Sequence, residues 1–298
     1  MLAPMSGNGK TMLVLHRRAA RRKATKAARA EALAVLEDLA ATAPDGGPAS
    51  ERPGVFWVEV PNERLDDAVA RLPRLGYTDA VDVLEPDPGG EVRYRKRTYS
   101  LRRVYTEDAD AARDRAPDRR PFLLEGPDGV REVRGYRGSS GTGERRGLPV
   151  CDARLLVNLV APAGPGVLLD PFAGAGGIVV EASSDGWTVA STDIDASLRH
   201  GLGRLAHHAV ADARALPLAT GSVHAVATEP PYDPGADAML TPAFDEMRRV
   251  TRPGGRIAML VHASHADTLR GASAGLETVL DEAVDRKGTP VVTLDWTI

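Results

Sequence analysis

A single cysteine, Cys151, in 298 residues excludes an intramolecular disulfide framework and leaves no thiolate cluster for zinc or iron–sulfur ligation. That usage fits a reducing, cytoplasmic setting. Long apolar runs are also missing. No stretch approaches the roughly 18 residues of a membrane span, and Met12-Leu13-Val14-Leu15 runs into arginines where a secretory signal would stay apolar. The chain reads as soluble and without a signal peptide. His200, His207 and His208 have no carboxylate or cysteine partners at ligand spacing, so no metal is expected. Gly7-Asn8-Gly9-Lys10-Thr11 ends like a phosphate-binding loop, but Pro4 holds the first glycine position and no strand precedes it, which makes the match a chance one. No internal repeat is present.

Net charge is small, −3 overall, but it is unevenly spread. Residues 1–150 carry 27 Lys/Arg against 23 Asp/Glu, and residues 151–298 carry 11 against 18. Basic charge therefore lies outside the second half, as it would if a separate region held a polyanion. Arg17 to Ala40 is rich in helix formers and basic at its start, which predicts a helix followed by a Pro/Gly linker at residues 42–48. From Gly54 to Leu84 an apolar run, an amphipathic stretch and a second apolar alternation predict a β-α-β unit. Residues 91–105 read as a strand. There Arg95, Lys96 and Arg97, with Tyr94 and Tyr99 interleaved, suit either a phosphate-gripping face or a solvated one. The loop from Gly135 to Gly147 is too glycine-rich to pack.

After residue 150 strand and helix signals alternate regularly, which predicts a parallel sheet covered on both faces, with an antiparallel hairpin from Glu277 to Thr297 at its edge. The strongest motif is Val167-Leu168-Leu169-Asp170-Pro171-Phe172-Ala173-Gly174-Ala175-Gly176-Gly177. It is a buried strand ending in an acid, followed by glycines that let backbone pass close to a ligand before a helix begins. A dinucleotide loop would place its first glycine directly after the strand, whereas Asp-Pro-Phe intervenes here, which favours a cofactor with an amino-acid moiety over one with a pyrophosphate. The second strand ends in Asp193, about 20 residues on, where an acid can take both hydroxyls of a ribose. The third ends in Asp212, and the fourth in Glu229-Pro230-Pro231-Tyr232.

In this order the motifs resemble those of S-adenosylmethionine-dependent methyltransferases. The resemblance implies that Asp170, Phe172, Gly174 and Gly176 surround the methionine portion of the cofactor and that Asp212 contacts the adenine amino group. Glu229-Pro230-Pro231-Tyr232 resembles the (Asp/Asn)-Pro-Pro-(Tyr/Phe) motif of amino methyltransferases. There a side-chain oxygen and a proline carbonyl, those of Glu229 and Pro230 here, accept the amine N–H bonds, and the aromatic stacks on the acceptor. Glu229 stands where the family has a shorter residue, and its extra methylene displaces the carboxylate by about 1.5 Å. Leu148 to Leu159 resembles the helix leading into the catalytic domain of THUMP-associated tRNA guanosine-N2 methyltransferases. Residues 50–100 are too few for a complete THUMP domain with its ferredoxin-like companion.

The expected fold is thus α/β, a Rossmann-like seven-stranded methyltransferase sheet with a smaller α+β N-terminal domain. Its divisions are 1–48 (basic helical segment and linker), 49–134 (small α+β domain for substrate or RNA) and 135–298 (catalytic domain). The expected reaction is methyl transfer from S-adenosyl-L-methionine to an exocyclic amine, guanosine N2 in tRNA first. A small-molecule amine acceptor and a non-catalytic cofactor-binding module are the alternatives. Oligomeric state leaves no signal in the sequence.

Overall fold

The computed structural model describes residues 9–44, 54–94, 96–107, 121–134, 148–233, 235–286 and 288–298. The glycine-rich loop at 135–147 and most of the charged segment at 107–120 lie outside the described residues.

The chain begins with strand Lys10–Arg17 (β1), the two-residue strand Arg21–Arg22 (β2) and helix Thr25–Val35 (α1). Val55–Pro61 (β3), Leu65–Arg71 (α2), Thr78–Pro86 (β4), Val92–Tyr94 (β5) and Arg97–Thr106 (β6) complete a first unit. Its antiparallel sheet has the order β3-β1-β4-β6-β5. β1 alternates in the period of a strand. Leu13 and Leu15 face the helices with Phe56 and Val58, while Met12 and Val14 join Trp57, Leu84 and Tyr99 on the other side.

Residues 1–48 are therefore not a helical segment apart from residues 49–134, because β1 is a central strand between β3 and β4. The helix starts at Thr25 rather than Arg17, and Arg18 and Arg21 ahead of it turn inward. Arg18 pairs with Glu107, and Arg21, 3% exposed, pairs with Asp152.

A hairpin of Pro121–Gly126 (β7) and Gly129–Arg134 (β8) leads to the second unit. There follow Val150–Leu159 (α3), Val167–Asp170 (β9), Gly177–Ser184 (α4), Thr188–Asp193 (β10), Arg199–Leu202 (α5), His207–Val210 (β11) and Val223–Thr228 (β12). Asp237–Val250 (α6), Thr251–His262 (β13), Ala266–Ala272 (α7), Glu277–Arg286 (β14) and Thr289–Thr297 (β15) end the chain. The sheet order is β11-β10-β9-β12-β13-β15-β14-β2, the expected seven strands with β2 of the first unit added as an eighth. β15 enters antiparallel between β13 and β14, so β14 runs parallel to β13 and the last hairpin is not itself the edge.

α5 is a single turn, and the β7–β8 hairpin covers its surface. Phe122 presses on Gly201 so closely that a Cβ there would sit 2.2 Å from its ring.

Small side chains let α1 settle on α3, with Ala24, Ala27, Ala28 and Ala32 fully buried. Polar groups complete the seam. No side chain of its own caps α1, and Glu282 of β14 instead accepts from the N–H groups of Lys26 and Ala27. Glu31, fully buried on α1, accepts from Gly76 N at 2.6 Å, Tyr77 N at 2.9 Å and Asn158 Nδ2 at 2.8 Å. Glu31→Leu strands two buried backbone donors and an amide, and should cost about 2–5 kcal/mol in denaturant unfolding. Glu31→Gln, which keeps one acceptor oxygen, should lose distinctly less.

Candidate functional site

β9, β10 and β12 run parallel, so their carboxyl ends share one rim of the sheet, and strand order reverses between β9 and β12. Such a reversal opens a crevice. A cleft of about 610 Å³ fills it, with Asp170, Phe172, Gly174, Asp193, Asp212 and Glu229 in its lining. Pro230 and Tyr232 line it too. Gly176 does not. With φ +80° it starts α4, and a Cβ there would meet Leu205 Cδ1 at 2.8 Å, so its role is to let the loop pack on the segment after α5.

Asp170 ends β9 and is buried, accepting from Thr228 Oγ1 at 2.7 Å and from Phe172 N at 3.3 Å. Burial, together with the charges of Asp193 and Glu229, pushes its carboxyl up to about 7. Asp193 ends β10 and ties the glycine loop to the second strand, Oδ2 accepting from Gly174 N at 2.8 Å and Oδ1 from Asp195 N at 2.9 Å. Beside it Ile194, 70% exposed, offers an apolar surface to the cleft. Asp212 is held by Arg214, whose Nη2 donates to Oδ2 at 2.6 Å. Five carboxylates thus line one crevice, Asp195 with Asp170, Asp193, Asp212 and Glu229, against the two arginines Arg214 and Arg286, an acidic excess that suits a cationic ligand.

At the other end, Tyr232 Oη donates to Glu229 Oε1, and Arg286 Nη1 donates to the same oxygen at 2.6 Å. Both donors converge on Oε1, which leaves Oε2 for an acceptor group. Burial pushes the Glu229 carboxyl up, and the Arg286 charge pulls against it. The Tyr232 ring already has company, with the Arg286 guanidinium 5.6 Å from its centroid and His262 at 5.5 Å.

Lys96 and Arg97 lie exposed at the turn between β5 and β6 and do not line the cleft, while Arg95 lies outside the described residues. Farther along β6, Arg102 pairs with Glu85 and Arg103 with Asp82. Sequence reasoning missed Arg286, Arg214 and Ile194. The topology holds the signal for Arg286, since it ends a strand parallel to β13 and so reaches the same rim as the motif residues. Among the described residues no group of three or more His, Cys, Asp or Glu could hold a metal ion, and no helix is long and apolar enough to cross a membrane.

No family model matches the sequence. Among solved structures, TrmN from Thermus thermophilus matches over 96% of this chain and 99% of its own, with a TM-score of 0.50 and 17% identity. The chain has the methyltransferase fold. At this identity the likeness is one of fold, and it extends through the first unit as well as the second. Two further structures align less fully. RsmC of T. thermophilus, a 16S rRNA N2 methyltransferase, covers 60% of this chain and 45% of its own, with a TM-score of 0.40 and 19% identity. The 1,6-didemethyltoxoflavin-N1-methyltransferase of Burkholderia thailandensis covers 49% and 77%, with a TM-score of 0.38 and 16% identity.

Asp170 generates a pH test. Between the usual carboxylate value of 3.8 and about 7 the folded chain keeps a proton that the unfolded chain releases. Its contribution to stability is therefore full below that window and is lost as pH rises through it. Asp170→Asn should remove that loss, so thermal unfolding of the ligand-free variant should gain on wild type as pH rises from 4 to 8. Parallel curves for the two proteins would contradict the buried-acid assignment.

Proposed function

We propose that this chain is an S-adenosylmethionine-dependent N-methyltransferase acting on an exocyclic amine, with guanosine N2 of tRNA as the acceptor. The observation that carries the reading is the meeting of the glycine loop after β9 and the Glu229-Pro230-Pro231-Tyr232 turn after β12 in one cleft, on adjacent strands.

The residues fit the cofactor. A floor whose acid is pushed up to about 7 by burial and by the charges of Asp193 and Glu229 gains from a sulfonium and an ammonium group. Asp193 serves the ribose, Ile194 supplies an apolar face for adenine, and Asp212 receives the adenine amino group. When bound, the cofactor supplies an electrophilic methyl. Glu229 Oε2 would accept the N–H bond of the amine and take the proton that the nitrogen releases on methylation. A ring-conjugated amine is a poor nucleophile, so holding its N–H bonds to aim the lone pair is the main service the turn performs. The Tyr232 hydroxyl keeps the carboxylate in place.

Support for an RNA acceptor comes from exposed Arg93, Lys96 and Arg97 at the β5–β6 turn and from the likeness to TrmN across both units. A small-molecule amine is the second reading. What favours it is that Arg18, Arg21, Arg102 and Arg103 are engaged within the protein, so less of the basic charge in the first half is available to phosphate.

Incubation with methyl-labelled cofactor and either bulk tRNA or a small-molecule extract separates the two. Label in tRNA N2-methylguanosine supports the first reading, and label confined to the extract replaces it with the second. Asp193→Ala should weaken cofactor binding by about 2–3 kcal/mol in calorimetry, through loss of paired hydrogen bonds to the ribose. Glu229→Ala should lower the transfer rate about 10²–10⁴-fold with cofactor affinity retained. Glu229→Gln divides that loss: activity near wild type means positioning dominates, and activity near that of the alanine variant means proton removal does. A fully active Glu229→Ala protein would remove the catalytic assignment.

A further inference from the structure

Arg286 does more than border the cleft. Its Nη1 donates to Glu229 Oε1 at 2.6 Å and lies 3.7 Å from Asp152 Oδ2, and its guanidinium lies over the Tyr232 ring. Asp152, fully buried on α3, accepts from Arg21 Nε at 2.6 Å, Arg21 Nη2 at 2.9 Å and Tyr77 Oη at 2.9 Å. Arg21 is also the register partner of Arg286 where β2 pairs with β14. Contacts therefore run without a gap from Tyr77 and Arg21 of the first unit, through Asp152 and Arg286, to the turn that carries Glu229.

We propose that Arg286 is the positioning residue for Glu229, and that Arg21 and Tyr77 of the first unit act on the site by holding the Asp152 carboxylate that fixes Arg286. The proposal rests on Glu229 being the group that receives the acceptor amine. It also accounts for a glutamate at this position. A shorter acid would withdraw its oxygen by about 1.5 Å and lose hydrogen-bonding distance to Arg286. A glutamate has one more rotatable bond than an aspartate, and two donors on Oε1 remove that freedom and leave Oε2 in one place. The charged and titratable groups facing Glu229 are Arg286 from β14, Tyr232 from its own turn, Asp152 from α3 and Asp170 from β9. Arg286 is the cation among them, so its removal leaves Glu229 among acids.

The test reads Glu229 directly. In protein labelled with ¹³C at the glutamate carboxyls, the Glu229 resonance is identified by its loss in Glu229→Gln and followed through a pH titration. Arg286→Met should move the titration upward by about 1–3 pH units, and Arg286→Lys should restore most of the wild-type midpoint. Arg21→Met frees Asp152 to draw Arg286 away from Glu229, so it should move the midpoint in the same direction by a smaller amount. Tyr77→Phe, which deletes only one hydroxyl, carries this half of the test if Arg21→Met does not fold. An unmoved midpoint in folded Arg286→Met overturns the positioning role. A shift in Arg286→Met with none in Arg21→Met or Tyr77→Phe overturns the part given to the first unit. The titration needs neither cofactor nor acceptor. A protein that shows these shifts but transfers no methyl group would overturn the methyltransferase reading while upholding the contact between Arg286 and Glu229.

Discussion

A carboxylate that water does not reach must be balanced by its neighbours, and at the junction of the two units Asp152 is such a group. It sits between Arg21 and Arg286, and Arg286 also meets Glu229, so two cations and two anions close on one another. The set is neutral as a whole, which is what allows Asp152 and Arg21 to be buried. Each member belongs to a different stretch of chain: the β2 strand, α3, the end of β14 and the turn after β12. Removing one partner from such a set leaves an unpaired buried charge, with a typical cost of about 3–5 kcal/mol. Together with Glu31 and Glu282, this network makes the seam between the units a matter of matched polar groups as much as apolar contact.

The acidic excess of the second half takes on a different meaning beside the cleft. Asp170, Asp193, Asp212 and Glu229 meet at the ends of four neighbouring strands, and burial, with the charges of Asp193 and Glu229, pushes the Asp170 carboxyl up to about 7. Five carboxylates against Arg214 and Arg286 leave the lining of the cleft with an acidic excess. The basic excess of the first half is less simple. Part of it is structural, in the pairs formed by Arg18, Arg21, Arg102 and Arg103, and part stands at the exposed β5–β6 turn.

What could be read from the sequence follows from how local each signal is. The strand ending in Asp170 and its glycines, the acid at Asp193 and the Pro-Pro turn after Glu229 each lie within one short stretch, and the regular alternation of strands and helices sets them on one rim. β1 is hidden in the sequence because Met12 to Leu15 is a four-residue apolar run that breaks off at arginines, too short to show the alternation of a strand. Only the pairing of β1 with β3 and β4 reveals it. The contact of Arg286 with Glu229 depends on β15 entering the sheet antiparallel and on a register 57 residues away, which composition does not encode. The resemblance of the glycine motif assigns Gly176 to the cofactor, whereas its missing Cβ makes room for Leu205 and it does not line the cleft.

The single turn of α5 ties the second unit to residues that precede it in the chain. A hairpin ahead of α3 covers that turn, with Phe122 seated on Gly201, where no side chain longer than a hydrogen fits. Part of the surface of the second unit is therefore closed from outside it. A recombination event that grafted residues 148–298 behind an unrelated N-terminal region would carry the cleft residues intact but leave the turn at Gly201 bare. Inheritance of the two halves is tied together by one ring resting on one glycine.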